Sequence, residues 1–136
     1  MVSILLCGAG GKMGQVITQA VAQRSDCRIA AGIDPHALTC DYPVYASADQ
    51  CTEPCDVIID FSHPSALSPL LEYAVSHRLP AVICTTGLSE EQIESIHQAA
   101  RQIPIFFSAN MSLGVSLLCE LAKKAAQVLG CLLYTS

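Results

Sequence analysis

Short apolar runs alternate along this chain with segments whose apolar residues recur at helical spacing. The runs are Val2–Cys7, Cys27–Ile33, Val57–Phe61, Ala81–Cys84 and Ile105–Phe107, each of a length suited to a buried strand. Between them, Met13, Val16, Ile17, Ala20 and Val21 line one face of a helix predicted over Lys12–Arg24. Ala66, Leu67, Leu70, Leu71, Ala74 and Val75 line another after Pro64. Ser89-Glu90-Glu91-Gln92 has the spacing of a capping box, in which Ser89 accepts from the Gln92 amide and the Gln92 side chain returns the bond. Ile93, Ile96, Ala100 and Ile103 are the buried stripe expected of that helix. A last helix is predicted over Leu113–Leu129, stopped by Gly130. The stretch 34–56, with Pro35, Pro43 and Pro54, reads as irregular, with a short strand near Val44 and a short helix near Ser47. Buried strands separated by helices predict an α/β fold, a Rossmann-like doubly wound parallel sheet.

Composition narrows the class. Of 136 residues 51% are hydrophobic and 14% charged, which suits one packed core and excludes a disordered linker. The net charge of -5, with no basic run, argues against a nucleic-acid or anionic-membrane surface. Eight cysteines are too few for a disulfide scaffold, and Cys7, Cys84 and Cys119 lie inside apolar runs, as buried thiols do. A reducing, cytoplasmic setting is expected. The opening apolar run has no basic leader and breaks at Gly8, too short for a signal-peptide core or a membrane span.

The first predicted strand runs into Gly8-Ala9-Gly10-Gly11-Lys12-Met13-Gly14 and then a helix. Gly8, Gly11 and Gly14 give a G-x-x-G-x-x-G spacing, a variant of the dinucleotide fingerprint G-x-G-x-x-G. The first glycine permits a tight turn, the middle ones let backbone amides approach a pyrophosphate, and the last lets the helix pack closely on the strand. Glycines also serve turns that bind nothing, but this position between strand and helix favours binding. Asp34 closes the second strand 20 residues after Gly14, where such folds place an acidic side chain to accept from ribose hydroxyls. Before Pro35 an aspartate is equally a turn former; together with the glycine turn it reads as the ribose acceptor. No arginine follows Asp34 and a carboxylate repels a ribose phosphate, so NADH is expected over NADPH, with Lys12 or Arg28 able to soften the preference.

Three further strand ends read Asp60-Phe61-Ser62-His63-Pro64, Cys84-Thr85-Thr86-Gly87 and Ser108-Ala109-Asn110-Met111-Ser112-Leu113-Gly114-Val115. With the glycine turn, and in this order, they closely resemble the nucleotide-binding half of the 4-hydroxy-tetrahydrodipicolinate reductase (dihydrodipicolinate reductase) family, over about Val2–Gly130. The resemblance implies an oxidoreductase of lysine and diaminopimelate biosynthesis that reduces its substrate to tetrahydrodipicolinate with NADH or NADPH. It implies a pyrophosphate on Gly8, Ala9, Gly10, Gly11, Lys12 and Met13, and a ribose on Asp34. The nicotinamide end falls near Cys84, Thr85 and Thr86 and near Ser108, Ala109, Asn110 and Met111. The family's loop more often reads Gly-Thr-Thr-Gly, so Cys84 is a departure, one that a small side chain tolerates. Without the family, Thr85–Gly87 reads as a loop capping a strand and Asn110 as a turn or helix-start residue. Asp60 likewise reads as a strand-end turn former, and Phe61 as packing against cofactor or core.

In the family the residues that hold the small cyclic dicarboxylate substrate and supply protons lie in a separate domain, marked by Glu-x-His-His and Asp-Ala-Pro-Ser-Gly-Thr strings. Neither string occurs here. The expected organisation is a dinucleotide-binding domain over 1–130 and a tail over 131–136 foreign to the family, the chain being truncated before the substrate-binding domain. No catalytic residue is assigned to it, and it is expected to bind a nicotinamide dinucleotide weakly and to be inactive alone. The full-length family is expected to form a homotetramer.

The alternative is a non-catalytic nucleotide- or CoA-binding Rossmann module, which carries similar glycine turns. The joint presence of Thr-Thr-Gly and Asn-Met-Ser-Leu-Gly-Val at successive strand ends argues against it. A semialdehyde dehydrogenase would need a catalytic Cys and His in a further domain. Cys51 and Cys55, with Cys40 and His36 nearby, lack the paired spacing of a zinc site, and no metal is expected. Asp60, Ser62 and His63 supply the letters of a hydrolase triad without a nucleophile elbow. Cys84, at a ligand-facing loop, is the thiol whose oxidation would block the cofactor.

Overall fold

Six apolar segments form six strands of one parallel sheet in the computed structural model, which describes residues 1–36, 39–107 and 119–127. The strands are β1 (Val2–Cys7), β2 (Cys27–Ile33), β3 (Val44–Tyr45), β4 (Val57–Asp60), β5 (Ala81–Ile83) and β6 (Ile105–Phe107). Their spatial order is β3-β2-β1-β4-β5-β6, and every neighbouring pair is parallel. The order reverses between β1 and β4, so the carboxyl ends of β1, β2 and β4 frame a crevice, the place where such sheets bind ligands. The helices are α1 (Lys12–Ala22), α2 (Leu67–Ser76) and α3 (Glu90–Ala99), with a further helical stretch at residues 119–127. Short 3-10 turns at Ala48–Gln50 and Pro64–Ala66 complete the irregular connections.

Alternation of side chains along each strand builds two cores. Leu5, Cys7, Ile58, Ala81 and Ile83 face α2 and α3, where they meet Leu67, Leu70, Leu71, Ala74, Ile96 and Ile103. Ile4, Leu6, Val57, Ile59 and Val82 face the opposite side and meet Ile17 and Val21 of α1 together with Cys119 and Ala122. Helices on both faces explain why the strands read as continuous apolar runs. Among the described residues, no helix is long and apolar enough to cross a membrane.

The structure adjusts several boundaries. α1 ends at Ala22, before Arg24, and it packs through Gly14, Ile17 and Val21, whereas Met13 and Val16 are 36% and 44% exposed. Only one row of an 11-residue helix reaches the sheet, and Met13 and Val16 lie one position off that row. In α3 the capping box of Ser89 and Gln92 forms, but the stripe is Ile96, Ala99 and Ile103, with Ala100 turned outward. β4 and β5 stop at Asp60 and Ile83, so Phe61 and Cys84 begin the loops. The predicted Leu113–Leu129 helix is seen at 119–127; the rest of it, and the tail over 131–136, lie outside the described residues.

An ion-pair network ties the 119–127 stretch to the α1–β2 turn. Asp26 receives Arg24 at 2.6 Å and Lys123 at 2.9 Å, and Arg24 also reaches Glu120 at 2.7 Å. Hydrogen bonds from Arg24 and Lys123 hold the Asp26 carboxyl well below the usual carboxylate range.

Candidate functional site

The turn after β1 is set by two glycines that admit no Cβ. Gly8 has φ of +81°, and a Cβ there would stand 2.5 Å from the Phe61 carbonyl oxygen. At Gly14 a Cβ would collide with the carbonyl oxygens of Gly8 and Ala9, so this glycine lets α1 lie directly on the turn. Gly11 is different: a Cβ would meet only the Gly8 oxygen, at an ordinary 3.5 Å.

The turn spends its early amides on itself. Gly8 and Ala9 donate to the Ile33 carbonyl at 2.8 and 3.3 Å, and Gly11 donates to Gly8 at 3.1 Å. The Gly10 amide donates to Asp34 Oδ2 at 2.9 Å, while Asp34 Oδ1 accepts from the His36 amide at 2.9 Å. α1 then begins at Lys12 with no side-chain cap from Gly11, and helix geometry leaves the first-turn amides of Lys12, Met13 and Gly14 without intrahelical acceptors. Those amides and the positive end of the helix dipole form an anion-accepting corner beside Asp34. Behind it, Thr18 Oγ1 donates to the Gly14 carbonyl at 2.8 Å and receives the Tyr42 hydroxyl at 2.8 Å, fastening the loop after Asp34 to α1.

A cleft of about 980 Å³ opens beside this corner, over the carboxyl ends of β1, β2 and β4. Gly8, Gly11 and Asp34 line it on one side, and Phe61, His63 and Tyr73 on the other. His63 Nδ1 accepts from the Ser65 amide at 3.2 Å, which caps the 3-10 turn. Tyr73 stacks on His77 with ring centroids 4.0 Å apart.

At the β4 end, Asp60 is fully buried. Its Oδ1 accepts from the Ser62 amide at 3.0 Å and from the Ser62 hydroxyl, and its Oδ2 accepts from Thr85 Oγ1 at 2.8 Å. Burial pushes the Asp60 carboxyl up, against the pull of the Ser62 and Thr85 hydrogen bonds. The Cys84 thiol beside it is buried and pushed up to about 12, by burial first and Asp60 second. A thiol held protonated at neutral pH is a poor target for oxidation, against the expectation for Cys84.

Of the residues singled out from the sequence, the fold gathers Gly8, Gly10, Gly11 and Asp34 at one corner, with Lys12 and Met13 opening the helix above it. Ala9 is buried, its side chain in the core on the α1 face. Cys84, Thr85 and Thr86 leave β5, two strands from the glycine turn, and do not line the cleft. Ser108, Ala109, Asn110 and Met111 lie outside the described residues. Arg28 pairs with Ser3 near the amino end of β2 and cannot reach the cleft about 16 Å away at the strand's far end. Of the cleft's second wall, sequence reasoning anticipated Phe61 and missed Tyr73 and His77. Tyr73 on α2 and His77 at its C-cap share a cleft-facing side by i, i+4 spacing, a signal visible only once that helix is placed. Asp60, Ser62 and His63 form no triad, since His63 bonds Ser65 instead. Among the described residues no group of three His, Cys, Asp or Glu side chains is disposed to hold a metal ion.

The strand order, the glycine turn at a helix N-terminus and the acidic residue ending β2 together define a Rossmann-class nucleotide-binding domain. The family model described as dihydrodipicolinate reductase, N-terminus, matches residues 2–111, and the chain belongs to that family. It is 41% identical over 129 residues to the 4-hydroxy-tetrahydrodipicolinate reductase of Caldanaerobacter subterraneus subsp. tengcongensis, and 41% identical over 130 residues to that of Clostridium tetani. Each match takes in 95% of this chain and 51% of the relative, so the chain spans about half the length of the curated relatives it matches. A dipicolinate-bound dihydrodipicolinate reductase from Paenisporosarcina sp. TG-14 shares the fold, with a TM-score of 0.63 at 23% identity over 74% of this chain and 43% of that one.

Proposed function

We propose that this chain is the cofactor-binding part of a reductase that converts 4-hydroxy-tetrahydrodipicolinate to tetrahydrodipicolinate, a step of lysine and diaminopimelate biosynthesis in the cytoplasm. The observation that carries the reading is the anion-accepting corner. Glycines 8 and 14 leave no room for side chains, the first-turn amides of α1 point outward, and Asp34 stands next to them on the Gly10 amide. A dinucleotide fits these residues: the pyrophosphate meets the Lys12–Gly14 amides and the helix dipole, and Asp34 accepts from the ribose hydroxyls. The cleft walled by Phe61, His63 and Tyr73 has the size and apolar character to hold the adenosine half. The Thr85 backbone, with Thr86 and Ser108–Met111, serves the nicotinamide half, the Thr85 side chain being buried on Asp60. A bound NADH or NADPH supplies the hydride for the reduction.

The Asp34 carboxylate favours NADH over NADPH, because it would face a ribose phosphate with like charge, and Arg28 is too far to compensate. The cyclic dicarboxylate substrate and the homotetrameric assembly belong to the longer protein.

Calorimetric titration of the 136-residue chain with NADH, NADPH and CoA tests the reading. Binding of NADH, tighter than of NADPH, is the expected result, and Asp34→Ala should weaken it about tenfold or more, the size of one lost hydrogen bond to a charged group. Binding of CoA alone would overturn the reading in favour of a non-catalytic module.

A further inference from the structure

Asp60 is the one fully buried carboxylate among the described residues, and cofactor binding as set out above gives it no part. Burying a charge is expensive, and the sheet does not need it: the β4–β5 ladder is already closed by the Cys84 amide on the Asp60 carbonyl at 2.9 Å. What the carboxylate adds lies past the ladder. Through Ser62 it fixes the chain leaving β4, and through Thr85 the chain leaving β5. Three partners converge on its two oxygens, the Ser62 amide and hydroxyl on one and the Thr85 hydroxyl on the other, so the carboxyl group ties both loop ends to one point.

The same short segment also abuts the glycine turn. Phe61 donates its amide to the Cys7 carbonyl at 3.0 Å, and its own carbonyl is the atom that forbids a Cβ on Gly8. Residues 60–62 are therefore wedged between the pyrophosphate corner after β1 and the Thr85–Thr86–Gly87 loop after β5. We propose that Asp60 is a positioning residue, whose carboxylate sets the separation of those two loops and so aligns the nicotinamide half of the site with the pyrophosphate half. The inference rests on the dinucleotide reading and adds to it a residue that touches no ligand.

A merely structural role would weaken every ligand alike, so the test compares two. ADP-ribose carries the adenosine and pyrophosphate without the nicotinamide. In calorimetry on the 136-residue chain, Asp60→Asn and Thr85→Val should each lower NADH affinity about tenfold and leave ADP-ribose within about twofold of wild type. Thr85→Val keeps the side-chain shape and leaves Asp60 its Ser62 donors, so it decides the matter if Asp60→Asn does not fold. Unchanged NADH affinity, or a parallel loss for both ligands, overturns the proposal. A wild-type chain that binds neither ligand overturns the dinucleotide reading itself, a result distinct from wild-type binding that the variants fail to split.

Discussion

At the scale of single residues, the glycine turn separates positions that look alike in sequence. Gly8, Gly11 and Gly14 are equally spaced, yet only the first and third are required by the fold. Gly14→Ala drives a Cβ into two backbone carbonyls and should destabilise the chain by about 2–3 kcal/mol, as overpacking against rigid backbone does. Gly11→Ala, at a helix N-cap with ordinary space around it, should cost no more than about 1 kcal/mol. Thermal melts of the two variants check the contrast; equal losses would show that the turn tolerates or rejects a Cβ uniformly. Asp34 was legible as an acidic strand end, but not its bond to the Gly10 amide, because 24 residues separate them and only the β1–β2 pairing brings them together. The burial of Asp60 was hidden for a similar reason: a strand-end aspartate before a Ser and a Pro reads as a turn former until its neighbours from β5 are known.

At the scale of elements, most strands and helices were legible from periodicity, and the errors share one cause. A helix with apolar residues on two adjacent rows does not reveal which row meets the sheet, so periodicity puts Met13 and Val16 on the apolar face of α1 and Ala100 in the stripe after α3's start, where the structure buries Gly14 and Ala99. The helical stretch at 119–127 rests on Cys119 and Ala122 and on the Asp26 network. Asp26, held below its ordinary range by Arg24 and Lys123, contributes stability that is present above the usual carboxylate pKa and is lost as the pH falls toward its depressed value. Asp26→Asn should therefore speed amide hydrogen exchange at 119–127 at neutral pH while leaving β1 and β4 protected, and the gap to wild type should narrow in high salt or in acid. Unchanged exchange at 119–127 would mean that packing alone holds the stretch.

At the scale of the whole molecule, the doubly wound sheet puts two prospective halves of one ligand site on opposite sides of the β1–β4 switch point. Catalysis would further require the acceptor to be held against the nicotinamide and its developing charge to be met. The chain spans about half the length of the curated relatives it matches, and neither task is assigned to a residue within it. The 136-residue chain should bind NADH in calorimetry yet show no loss of NADH absorbance with 4-hydroxy-tetrahydrodipicolinate. Sustained turnover by this chain would place acid–base and substrate-holding groups within it. By itself the sequence determined the strand and helix order, the parallel α/β class, the glycine turn and its acidic partner, since each follows from local spacing and backbone freedom. Only the tertiary structure decided which glycines are sterically obligatory, which helix rows are buried, and that Asp60 is buried against donors from Ser62 and Thr85. Those properties depend on distances between residues far apart in the chain, which parallel strand pairing sets and local pattern does not carry.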